Sequence, residues 1–184
     1  MADTRRTMAA IVALLADNTS GAISPQDVRD FLVSVRPGHA QLYVPNSAAA
    51  AVTLANTANY YEIGTGPTFT LSSGNYLVDQ SSANGRLTYT GAADAVMLVK
   101  SQFTLTGTVD AQLMHFRHSL NASTVEASEA RYWHTTAAEQ RTVSFVSQHL
   151  VTNGDYVAPW VRNATATNNV TILCGTHTAL ILPR

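Results

Sequence analysis

Residues 86–120, RLTYTGAADAVMLVKSQFTLTGTVDAQLMHFRHSL, contain three extended runs separated by turn residues. The runs at 86–90 and 95–106 are rich in β-branched and aromatic side chains, and Gly91 and Thr106-Gly107 punctuate them. Within 111–120, Met114, Phe116 and Leu120 share one strand face, and Leu113, His115 and Arg117 share the other. One face of that strand is therefore core and the other largely polar. Val96-Met97-Leu98-Val99, by contrast, is apolar on both faces. In an antiparallel sheet this implies that the outer face is also covered, and another subunit could cover it.

The same period-two signal recurs outward from this stretch. Strands are predicted over 68–71, 76–79, 131–134, 142–152, 156–163 and 170–182. Ser73-Gly74-Asn75, Asn84-Gly85, Asn153-Gly154-Asp155 and Asn168-Asn169 supply turns between them. Many short strands at this spacing point to a sandwich. Residues 37–60 read as an extended linker or a first strand, and 61–184 as the β knob.

Residues 1–36 have a different period. Met8, Ile11, Val12, Leu14 and Leu15 line up at helical spacing, and Arg5 and Arg6 are expected to stay in water. Asp17-Asn18-Thr19-Ser20-Gly21 is a turn. Ser24, Pro25 and Asp27 form a variant capping box that starts a second helix at about Pro25. Val28, Phe31, Leu32 and Val35 are its apolar stripe, and Arg36-Pro37-Gly38 ends it. Helices this short are marginal alone in water and need a surface to lie on. Arg5-Arg6 ahead of the apolar run 8–16 also has the outline of an export signal, but the run is brief and a second, capped helix follows it.

Composition narrows the function classes. Only 12% of the 184 residues are charged, against a usual share of about 25%, and the net charge is −1. Nothing steers the chain toward nucleic acid or an anionic membrane. No run approaches the roughly 18 apolar residues of a membrane span. The lone Cys174 cannot form an intrachain disulfide, and its strand context predicts a buried, inert thiol.

The chemical motifs do not assemble a catalytic or metal centre, and no cofactor is expected. His115 and His118 are separated as in a metal-binding H-x-x-H, but on a strand their imidazoles point to opposite faces. There is no G-x-S-x-G elbow and no Gly-rich phosphate loop. Glu126, Glu129 and Glu139 read as solvated loop and strand-edge charges.

Arg86-Leu87-Thr88-Tyr89-Thr90-Gly91, the long strand at 95–106, Ser128-Glu129-Ala130-Arg131, Gly154-Asp155-Tyr156-Val157 and Asn169-Val170-Thr171-Ile172 together resemble the trimeric jelly-roll knobs of phage virion proteins. Those knobs in turn resemble tumour-necrosis-factor-like and complement globular-head domains. The segment 14–30 resembles the leader of phage decoration and fibre proteins. The resemblance implies a mainly β, antiparallel jelly-roll sandwich behind a short two-helix arm. It further implies a homotrimer on the exterior of a virion, made in the host cytoplasm, that is not an enzyme. The implied partner is the major capsid protein, which a decoration or head-fibre protein would bind to stabilise the shell. A tail-fibre or receptor-binding knob is the alternative, with a baseplate or tail protein as partner and a host glycan as ligand; a trimeric hydrolase of cell-surface polymer is a third. On this reading Arg5, Arg6, Met8, Ile11, Val12, Leu15, Val28, Phe31 and Leu32 belong to the docking arm. Tyr156, Trp160, Phe116 and Met114 belong to the trimer interface or the core.

Overall fold

A computed structural model describes residues 6, 8–15, 23–72, 74–124 and 128–184. Two helices, α1 (Met8–Leu15) and α2 (Pro25–Val35), precede the sandwich. The strands are β1 (Gly38–Val44), β2 (Ala50–Val52), β3 (Tyr61–Glu62), β4 (Thr70–Leu71), β5 (Val78–Ser81), β6 (Arg86–Tyr89) and β7 (Ala95–Gly107). After them come β8 (Gln112–Leu120), β9 (Ser123–Thr124), β10 (Ala130–His134), β11 (Gln140–Val151), β12 (Tyr156–Asn163) and β13 (Val170–Pro183).

Strict alternation makes β7 a two-faced strand: Ala95, Met97, Val99, Ser101, Phe103 and Leu105 are buried, and the residues between them are partly or fully exposed. It lies between β11 and β13 in a first sheet of order β11-β7-β13-β1-β4, with β2 also on β13. The second sheet has the order β10-β8-β12-β6-β5, with β3 on β12 and β9 on β8. Pairing is antiparallel throughout. The chain is thus a mainly β, antiparallel two-sheet sandwich with a helical pair at its start.

Residues 38–44 and 50–52 are strands of the first sheet, and Leu42, Val44, Val52 and Leu54 are core residues. Gly38 sits where β1 crosses Ile181, and a Cβ there would fall 2.9 Å from the Ile181 side chain. Between β5 and β6, Gly85 adopts a left-handed φ of +66°, and a Cβ would meet the Phe69 ring at 2.6 Å. Phe69 in turn meets Phe103 edge to face, 6.2 Å between centroids, so that turn is keyed to the centre of the core.

Cys174 is half-buried beside a register shift in the β7–β13 pairing, between Ile172 and Cys174. Its expected full burial is not observed, because the irregularity breaks the alternation that would have turned it cleanly inward.

Candidate docking surfaces

Local chemistry fixes the helical pair. The Ser24 hydroxyl accepts from the Asp27 amide at 3.2 Å, and the Asp27 carboxylate accepts from the Ser24 amide at 3.0 Å. The Ser24 hydroxyl also donates to the Asp27 carboxylate at 2.7 Å, and this bond first, then the one from the Ser24 amide, lowers the Asp27 pKa. The inward face of α2 is polar, since Asp30 and Ser34 are its buried residues. Arg6 closes this face: its guanidinium reaches Asp30 at 2.8 Å, and its amide donates to the Ser34 hydroxyl at 2.6 Å.

Two arm expectations are therefore corrected. Arg6 does not simply stay in water, because a buried carboxylate requires a partner. Ile11 is 3% exposed, so it is an internal residue of the arm and not part of an open stripe. Arg5 and the side chains of Met8 and Leu15 lie outside the described residues. Val12, Val28, Phe31 and Leu32 do remain open, at 58%, 48%, 36% and 58% exposure. With the polar face turned inward, Val28, Phe31 and Leu32 on the apolar side of α2 remain exposed among the described residues.

A second apolar surface lies on the outer face of the first sheet. Register aligns Leu150 with Val96 and Leu182, and in the next row out Leu98 with Leu180. Val146 follows opposite Lys100, which pairs with Thr178. Val146, Leu150 and Leu180 are exposed. A shallow hollow of about 260 Å³ opens among Leu98, Lys100, Val146, Thr178 and Leu180. The strands read as apolar on both faces thus expose part of their outer face in the single chain.

The outer face of the second sheet is chemically different. Glu129 accepts from Tyr60 Oη at 2.7 Å and from Arg117 Nε at 2.6 Å, and also pairs with Arg131. Its carboxylate lies 3.3 Å from His115 Nδ1. Burial alone would raise the Glu129 pKa, but the bonds from Tyr60, Arg131, Arg117 and His115 outweigh it and hold the group far below the usual carboxylate range. Burial, then the bond to Glu129, pushes Tyr60 up to about 12. Burial likewise lowers His115, against the pull of Glu129, so it favours the neutral ring. Glu129 is therefore not a solvated strand-edge charge but the hub of an ion cluster. Glu139 is half-buried, accepting from the Thr135 hydroxyl and pairing with Arg141, and Glu126 lies outside the described residues.

Met114 and Phe116 are fully buried core residues, and His118 faces inward beside them while His115 faces outward. Tyr156 and Trp160 are not in the core. Val157 and Val161 take the inward positions of β12, so residues 156 and 160 fall on the outer face, half-buried. Tyr156 lies under the Arg86 guanidinium, 4.3 Å from the ring centroid. Trp160 helps line an open depression of about 530 Å³ with Asn59, Tyr60, Tyr61 and Ser123. Sequence reasoning missed this cluster because its parts come from residues 60, 115–117 and 129–131; the i, i+2 pairs His115–Arg117 and Glu129–Arg131 were its local signals.

No family model and no curated protein sequence matches this chain. Solved structures do. The structure of Eiger TNF from S. frugiperda aligns with a TM-score of 0.50 at 15% identity, covering 81% of this chain and 94% of that one. The fold is a tumour-necrosis-factor-like jelly roll. Murine APRIL also aligns, with a TM-score of 0.43 at 11% identity, over 78% of this chain and 98% of that one. At such identities the likeness carries architecture only, and function rests on the surfaces. The jelly roll presents an uncovered apolar arm, an apolar first-sheet face and a charged second-sheet face.

Proposed function

We propose that this chain is a homotrimeric virion protein, a capsid decoration or head-fibre module whose jelly rolls associate through the first sheet and whose arms dock on the major capsid protein. The observation that carries the reading is the exposure of Val12 on α1 and of Val28, Phe31 and Leu32 on α2, in a helical pair whose buried Asp30 and Ser34 are met by Arg6. A helix face of this kind suits an apolar groove on a partner. Each large side chain completing its burial contributes up to about 1–2 kcal/mol, and three linked arms turn a weak single contact into persistent attachment. Occupancy would then stabilise the shell by mass action. The likeness of residues 14–30 and of the knob to virion proteins supports this placement on the capsid exterior.

The alternative, a receptor-binding or tail-fibre knob attached to a baseplate or tail protein, draws on the second sheet. Tyr60, Tyr61 and Trp160 beside Asn59 and Ser123 offer the mixed aromatic and polar lining that a sugar ring occupies. Virions lacking the protein separate the two. Loss of genome under milder heat or osmotic shock, restored by adding the chain back, supports decoration. Unchanged particle stability with lost adsorption to host cells supports the knob.

A further inference from the structure

A polar seam runs through the apolar core and joins the two sheets. Ser101 Oγ lies 2.9 Å from His118 Nε2 and 2.8 Å from His177 Nδ1. Ser147 Oγ lies 2.7 Å from His118 Nδ1 and 2.6 Å from His149 Nε2. His177 Nε2 faces the Val157 carbonyl at 3.3 Å. Ser101, Ser147, His149 and His177 belong to the first sheet, whereas His118 and Val157 belong to the second.

With all three imidazoles neutral, only one proton order satisfies every contact. A carbonyl can only accept, so His177 Nε2–H donates to Val157 and its Nδ1 accepts from Ser101. Ser101 then accepts from His118 Nε2–H, His118 Nδ1 accepts from Ser147, and Ser147 accepts from His149 Nε2–H. One added proton can be accommodated by turning the hydroxyls. Any second proton leaves one serine between two donors, with its own hydroxyl proton lacking an acceptor. The imidazole pairs stand only 5.7 Å (His118 and His177) and 6.4 Å (His118 and His149) apart, so the two charges also repel.

We propose that this seam is an acid-sensitive latch: it ties the sheets together at neutral pH and forces them apart when it takes up protons in mild acid. The groups facing it are Ser101 from β7, His118 from β8, Ser147, His149 and the Phe145 ring from β11, the Val157 carbonyl from β12 and His177 from β13. Lys100 and Arg117 adjoin it in sequence but point to the opposite faces of their strands. The charges acting on His118 and His177 come from the other imidazoles, and among the described residues no carboxylate compensates them. β11 also carries Val146 and Leu150 on its outer side, so opening the latch would loosen that apolar face as well.

Burial lowers all three imidazoles below 6.5, His118 well below and His177 to about 4. The unfolded chain titrates near 6.5, so it binds more protons than the folded chain below that pH. The stabilisation is complete above 6.5 and is lost as pH falls toward about 4. Each proton taken up on opening raises the unfolding constant about tenfold per pH unit, so two to three protons raise it about 100- to 1000-fold.

The test is urea unfolding of the full chain at fixed protein concentration, from about pH 7.5 to about pH 5, above the main carboxylate range. His149→Gln, which keeps a donor toward Ser147, should make the dependence about tenfold shallower per pH unit. An unaltered slope in His149→Gln would overturn the latch. Imidazole NMR titration of the unsubstituted chain decides independently of any variant's folding. Uptake of no more than one proton across the three rings before the protein opens supports the proposal, and uptake of two or more in the folded state contradicts it.

Discussion

Glu129 shows how far a residue's environment can depart from its neighbours in sequence. Set between Ser128 and Ala130, it nonetheless collects Tyr60, Arg117, Arg131 and His115 around one carboxylate. Glu129→Gln removes the charge that Arg117, Arg131 and His115 surround, which should cost about 2–4 kcal/mol by urea denaturation at neutral pH. The folded pKa of Glu129 is depressed, so its stabilisation is present above 4.5 and is lost as pH falls below that. The variant should therefore lose less stability than the unsubstituted chain between about pH 4.5 and pH 2.5; equal losses would show that the hub contributes nothing. A second pair of substitutions separates inner from outer face. Phe116→Ala should cost about 3–5 kcal/mol because the ring is fully buried. Tyr156→Ala, half-buried under Arg86, should cost about 1–2 kcal/mol. Similar midpoints for the two would contradict their assignment to opposite faces of the second sheet.

At the scale of elements, the long strands were legible because their alternation is strong: 95–106 was expected where Ala95–Gly107 forms, and 156–163 matches Tyr156–Asn163. β1 was ambiguous for a physical reason. Its inward positions include Gly38 and Ala40, which give little hydrophobic contrast, and its pairing with β13 spans most of the chain. The arm helices were legible, including the Ser24–Asp27 cap, but which face of α2 turns inward was not. That is decided by Arg6 meeting Asp30, a pair 24 residues apart that no local period encodes. The three seam histidines come from three strands far apart in sequence, so alternation places each inward without saying that they meet. If α2 is the docking element, Phe31→Asp with Leu32→Asp should leave the melting temperature within about 2 °C, since both side chains are exposed. The same variant should fail to co-sediment with virions that lack the protein. Binding at the unsubstituted level would assign docking to the jelly roll instead.

For the whole molecule, the two outer faces divide the work. The second sheet gathers Arg117, Arg131 and Tyr60 around Glu129, whereas the first leaves Val146, Leu150 and Leu180 open around the sole lysine, Lys100. A chain with 12% charged residues and such a face would reduce its exposed apolar area by the self-association proposed above, and three copies would also bring three arms to one side of an assembly. The most direct measurement is sedimentation equilibrium of the full chain at micromolar concentration, alongside Val146→Glu with Leu150→Glu. The account predicts three times the 19.7 kDa of one chain for the unsubstituted protein and a folded monomer for the variant. A monomeric unsubstituted chain, or a trimer that survives both glutamates, would contradict it.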